Sequence, residues 1–265
     1  MRKIGALLGL LFLLASCTAA PNQDTDPPAG SEQLALRIQE FPGLMPPGVK
    51  FAVPKVSLYG TGRMILDVPG SSAMPAPIER SLSPQGIRKV LQAAADAGLL
   101  SRREYGTPRV GDAGVTIVTL VSGAEQYVSR IVGLGVIEDE SLTAEERAAR
   151  EKVRAFVARF ADLDKWLAGD LVGQSRPYSH KLLAVYALPQ EPVTAAGRQW
   201  PLADLATAGD INDFGRCQIL SGDQMRDVTA AAATATRQEF WRSGEGIFHV
   251  AFRPLLPDEK DCTSL

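Results

Sequence analysis

Twice in this chain two β-rich runs meet at a glycine, and twice an amphipathic helix follows. In KFAVPKVSLYGTGRMILDV the step Gly60-Thr61-Gly62 divides Val56 to Tyr59 from Arg63 to Val68, which reads as a hairpin. SPQGIRKVLQAAADAGLL comes next. Ser83 can cap it, Pro84 suits the first helical position, Ile87, Val90, Leu91 and Ala94 form one apolar stripe, and Gly98 stops it. GVTIVTLVSGAEQYVSRIVGL repeats the hairpin about Ser122-Gly123. TAEERAAREKVRAFVARFADLDKWLAG repeats the helix, with Thr143 and Glu146 as a capping box and Val153, Phe156, Val157, Phe160, Leu163 and Leu167 at helical spacing. LALRI, Leu34 to Ile38, alternates at period two ahead of both units. The architecture recurs without a repeat of residues. It predicts an α+β fold of β-hairpin/helix units in the order ββαββα.

The last third reads differently. HKLLAVYAL is a strand, WPLADLATAG holds one or two helical turns, and RCQIL is a short strand. SGDQMRDVTAAAATATRQEFWRSG is a helix with Ser221 and Gln224 as a capping box, and GIFHVAF is a closing strand with Phe248, Val250 and Phe252 on one face. This is a smaller, βαβ-like C-terminal lobe, with a crossover or an antiparallel return both open. Gly169 to Ser179 is the boundary, giving lobes over residues 34–172 and 173–265.

The N-terminus has its own layout. Arg2 and Lys3 are positive, Ile4 to Leu14 is apolar, and Ala15-Ser16-Cys17 is a run of small residues. That is the plan of an export signal, over residues 1–16, whose apolar core is too short to cross a bilayer. An uncleaved anchor, or a simple secretory signal cut near Thr18 to Ala20, are the other readings. Leu14-Ala15-Ser16-Cys17 resembles the lipobox of bacterial lipoproteins. The resemblance implies cleavage before Cys17, diacylglycerol on its sulfur, a second acyl group such as palmitate on the new N-terminus, and a body facing outside the cytoplasm at the cell envelope. Two or three acyl chains hold a protein firmly where one does not. Thr18 stands where an Asp in that family often signals inner-membrane retention. Residues 17–33, polar and Pro-rich, read as a flexible tether. The segment from about 34 to 135 is similar to a recurrent hairpin-helix-hairpin module of exported bacterial proteins. The mature chain also resembles uncharacterised lipoproteins of high-GC bacteria, which implies export and an α+β fold and supplies no activity.

With Cys17 assigned to lipid, Cys217 and Cys262 remain as an even pair in an oxidising setting, where a disulfide is expected. It would close a loop of about 45 residues and stabilise by roughly 4 kcal/mol in the chain-entropy model.

Chemistry is sparse. With 28 Lys+Arg against 30 Asp+Glu there is no basic excess for nucleic acid. Any membrane partner is met through the N-terminal lipid. His180, beside Ser179, and His249, opposite Phe248 and Val250, are the only histidines; no G-x-S-x-G or H-E-x-x-H surrounds them. Glu138, Asp139 and Glu140 suit a helix start better than a cation site. DINDFG opens like a calcium loop but carries Phe214 where an oxygen belongs and Ser221 in place of the closing Glu, so a turn is expected there. Trp200 and Trp241 read as packers at the core's edge. No catalytic, cofactor or metal residues are assigned. The expectation is a lipid-anchored, non-catalytic binding or structural module. The alternative is an envelope hydrolase built on Ser179 and His180 or on scattered carboxylates.

Overall fold

A computed structural model describes residues 26–44, 51–136, 138–190, 197–212 and 215–265. Its strands are β1 (Leu34–Phe41), β2 (Val56–Tyr59), β3 (Arg63–Leu66), β4 (Ile78–Ser81), β5 (Val115–Ser122), β6 (Glu125–Val132), β7 (Arg176–Pro177), β8 (Leu183–Gln190), β9 (Arg198–Gln199), β10 (Asp210–Asn212), β11 (Gly215–Leu220), β12 (Phe240–Ser243) and β13 (Gly246–Pro254). Its helices are α1 (Pro84–Asp96), α2 (Ala144–Ala158), α3 (Leu163–Trp166) and α4 (Gly222–Ala233). The fold is α+β, built on two sheets.

The first sheet runs β6-β5-β1-β2-β3-β4-β7, and every neighbouring pair in it is antiparallel. Both expected hairpins form, β2–β3 and β5–β6. At the first, Gly62 adopts φ 88 and lies so close to the Leu82 carbonyl that a Cβ would sit 2.3 Å from it. Gly60 is equally constrained: its Cβ would meet the Pro28 carbonyl at 1.7 Å, and its N–H donates to the Gln33 carbonyl. The last residues of the Pro-rich stretch therefore lie against the β2–β3 turn. A bulge between Leu34 and Leu36 turns Ala35 as well as Leu36 into the core.

Helices α1 and α2 cover one face of this sheet. Ser83 caps α1 by accepting from the Gly86 N–H, and Ile87, Val90, Leu91 and Ala94 are buried as the stripe requires. Thr143 and Glu146 form the capping box of α2. The expected single helix through Leu167, however, is broken. A 3-10 turn covers Arg159–Ala161, and Asp162 leaves helical geometry at φ −145, ψ 80. The Asp162 carboxylate accepts from the Lys165 N–H and so starts α3. An Asp competes for backbone donors in this way wherever packing rewards the change of direction. Here the reward is an aromatic cluster, with Trp166 edge-on to Phe160 at 5.3 Å and to Phe156 at 6.3 Å.

The second sheet runs β10-β11-β8-β13-β12-β9, antiparallel except for β12 against β9. Strand β8 lies between β11 and β13 and is buried on both faces, which explains the apolar run of HKLLAVYAL. Strand β13 runs in the same direction as β11 with β8 between them, and α4 carries the chain past β8 and β13 to β12, which runs opposite to β11. Several expectations in this lobe need correction. Helix α4 ends at Ala233, and Phe240–Ser243 is a strand that turns into β13 through Gly244. Its alternation puts Trp241 and Ser243 inside and Arg242 outside, a period-two signal hidden by the alanine run before it. Ser221 makes no side-chain cap: it is still extended at φ −143, ψ 171, and a left-handed step at Gly222 follows it. Asp210–Asn212 is strand β10, not a turn; Asp213 and Phe214 lie outside the described residues. In WPLADLATAG a single turn closes, Ala208 N–H to the Asp204 carbonyl. Trp200 and Trp241 are not at an edge. They meet at 5.5 Å in the heart of the lobe beside Phe252.

Cys217 on β11 and Cys262 beyond β13 form a disulfide. It ties the chain end to the second sheet, against Tyr186 and Leu255. Natively purified protein is expected to resist alkylation at both positions, with an intact mass short of the dithiol by the two thiol hydrogens. Two alkylatable thiols at Cys217 and Cys262 would contradict the bridge.

Candidate functional site

A concavity opens where the helical layer of the first sheet ends. It is a cleft of about 630 Å³, within the size range of small-molecule sites. Strand alternation decides what faces it. Ile38 and Leu66 point to the helices; so, two residues on from Ile38, does Glu40, and so does Arg80, paired in register with Met64. Two charged residues thus stand at positions where the pattern of β1 and β4 asks for apolar ones. The broken helix supplies the opposite wall through Phe160, Ala161, Asp162, Leu163 and Asp164. Had α2 continued unbroken, Asp162 and Asp164 would not be carried to the cleft on a turn of their own.

The charges on the rim are largely committed to one another. Lys55 Nζ donates to both Glu40 oxygens at 2.9 and 3.0 Å. Arg80 donates to both Asp164 oxygens, at 3.0 and 2.6 Å, and through Nε to the Gly173 carbonyl at 2.9 Å. Asp67 is half-buried. Burial raises its pKa, and the charges of Arg237 and Arg253 with a backbone hydrogen bond from Val68 only partly oppose that. A shallower recess of about 440 Å³ shares Glu40 and Lys55 with the cleft and continues toward Gly133 and Arg154. The Lys55–Glu40 pair therefore forms a sill between the two.

A second polar cluster occupies the other face of the first sheet. The chain beyond β13 crosses this face, where Leu256 packs on Tyr59 and Ile65. Arg37 and the Tyr59 hydroxyl both donate to one Asp258 oxygen, at 2.8 and 2.7 Å. Burial, and then Asp258, hold the Tyr59 pKa far above its ordinary value. Burial alone would lower the Arg37 pKa, but Asp258, Tyr59 and Glu259 outweigh it and raise it. Next to this, Arg253 and Glu259 are paired with side chains 3% and 2% exposed. On the far side of the sheet face Glu79 accepts from Arg63 and Arg176, which fastens β7 to β4. These groups are bonded to one another and join the lobes.

The residues singled out in the sequence fall elsewhere. Ser179 lines a recess of about 240 Å³ with Lys181 and Glu259, while His180 is not part of its wall. His180 is half-buried, its Nε2 has no hydrogen-bond partner, and burial lowers its pKa. No hydrogen bond joins it to Ser179, so the structure does not set a base against that hydroxyl. His249 is half-buried on β13, and burial lowers its pKa as well. Asp139 accepts from the N–H groups of Arg109 and Ser141, at 3.2 and 2.8 Å. Glu145 and Glu146 occupy the first turn of α2. No group of three or more His, Cys, Asp or Glu among the described residues is arranged to hold a metal ion. Cys17 and its motif lie outside the described residues, and among the described ones no helix is long and apolar enough to cross a membrane. No protein-family model, curated protein or solved structure matches this chain.

The cleft was not singled out in the sequence. Its one local signal is Glu40 in LALRIQEF, an acid at the inward parity of Leu36 and Ile38.

Proposed function

We propose that this protein is a lipid-anchored binding module of the bacterial envelope, with Cys17 as the lipid site and the cleft beside Glu40, Lys55 and Arg80 as its ligand site. The observation that carries the anchor is Leu14-Ala15-Ser16-Cys17 behind a basic start and a short apolar run. The Cys217–Cys262 disulfide supports an address outside the cytoplasm, since such bridges persist in oxidising compartments. The cleft supports binding: it has an apolar floor and a few convergent charges. Acylation at Cys17 would hold the body at a membrane surface and leave the cleft free to meet its ligand.

Cys17→Ser tests the anchor. The wild-type protein is expected to partition with membranes and to carry the mass of its acyl groups. The variant is expected to accumulate as a larger, unprocessed and unlipidated precursor. Unchanged mass and unchanged partition in the variant would refute the anchor.

A further inference from the structure

We infer that the cleft beside the broken helix takes an amphiphilic cation, an aliphatic chain ending in an ammonium or guanidinium group. The inference rests on the reading of this cleft as the ligand site and names what enters it. Three observations carry it. Five apolar side chains line the cleft, Val53, Leu66, Ile78, Phe160 and Leu163, and this suits a hydrocarbon chain. The two cations of the rim are already engaged. Lys55 is held by both oxygens of Glu40, and Arg80 by both oxygens of Asp164 and by the Gly173 carbonyl. An incoming anion would have to break one of these pairs to gain a partner.

The carboxylates are differently placed. Glu40, Asp67, Asp162 and Asp164 line the cleft against Lys55 and Arg80, an excess of two acids. Asp162 spends one oxygen on the Lys165 N–H, and Asp67 receives a backbone bond from Val68. A carboxylate accepts several hydrogen bonds, so both keep capacity for a donor that brings its own positive charge. Asp67 is also the carboxylate that burial disfavours in its charged form, more than Arg237 and Arg253 compensate, and a cation seated next to it would offset the remainder.

The test compares two probes of equal chain length and opposite charge, hexylammonium and hexanoate, against the folded chain by titration with amide chemical shifts as the readout. Hexylammonium is expected to move the amides of 52–53, 66–68 and 160–164 and to bind about tenfold more tightly than hexanoate. Asp67→Asn, a near-isosteric change, is expected to weaken hexylammonium by about tenfold and to leave hexanoate unchanged. Lys55→Met reports from the opposite side: it removes a rim cation and is expected not to weaken hexylammonium. If hexanoate binds as tightly as hexylammonium and moves the same amides, the cation inference is overturned while the cleft remains a ligand site. If neither probe moves those amides, the inference and the cleft reading fall together.

Discussion

Glu259→Ala is expected to lower the free energy of unfolding by about 3–5 kcal/mol, the cost of breaking a buried ion pair from one side. Arg253 and Glu259 are almost wholly out of water. Arg253 also donates to the Phe51 and Ala52 carbonyls, and Glu259 accepts from the Leu256 N–H at 2.9 Å. Removing the carboxylate strands a guanidinium with carbonyls for company, and places it near Arg37, which Glu259 also faces at 3.7 Å. Two cations would then face one acid, Asp258, in a site built for two of each. Urea unfolding at constant m-value measures the loss. A loss below about 1 kcal/mol would mean that water reaches the pair freely. A double change, Arg253→Met with Glu259→Leu, separates charge from packing. Apolar replacement of a whole buried pair is often neutral or better, so the double variant is expected to recover most of what Glu259→Ala loses.

Arg150→Met is the second large effect, at about 4 kcal/mol, from a different cause. Arg150 is fully buried in α2, yet it bonds no carboxylate. Its guanidinium donates to the carbonyls of Tyr105, Gly106, Val132, Gly133 and Val136, gathering two loops onto the helix. Burial lowers its pKa, and Glu146 and Asp139 oppose that. A methionine fills much of the volume but leaves the carbonyls without donors, and each buried acceptor left alone costs about 1–3 kcal/mol, less where water enters. Hydrogen exchange is expected to rise selectively over 104–107 and 132–136 while the second sheet keeps its protection. Arg150→Lys is expected to recover less than half of the loss, because an ammonium offers a point charge in place of a planar fork. Uniform exchange across both sheets would show that the side chain does not act locally.

What the sequence disclosed was what is written locally. The two hairpins are legible because glycine breaks and period-two runs sit side by side. The caps at Ser83 and Thr143 are legible because they require only residues three apart. The Cys217–Cys262 bridge followed from counting once Cys17 was set aside. The break at Asp162 was hidden because Leu163 and Leu167 continue the stripe of Phe156 and Phe160 at helical spacing, and only the aromatic packing of Trp166 decides against it. β12 was hidden by the helix-forming alanines ahead of it. β4 has four residues, with one charged residue facing the cleft and another held by Arg63 and Arg176 on the opposite face, so it shows no apolar pattern. The cleft depends on that strand and on that break together, and it was invisible for both reasons. Ser179 and His180 stood out in the sequence because they are adjacent, but only Ser179 lines the recess there.

The order of the strands bears on how this chain is made. The centre of the second sheet joins β8 to β13, and β13 is synthesised after every other strand of that sheet. Asp258, which ties Arg37 and Tyr59 across the lobes, comes later still. A ribosome releasing this chain from its N-terminus would deliver a first sheet able to pair β1 through β6 while the second still lacks its middle. The second sheet can close only after β13 has emerged. Until then β8 has only one of its two neighbours, β11, to pair with.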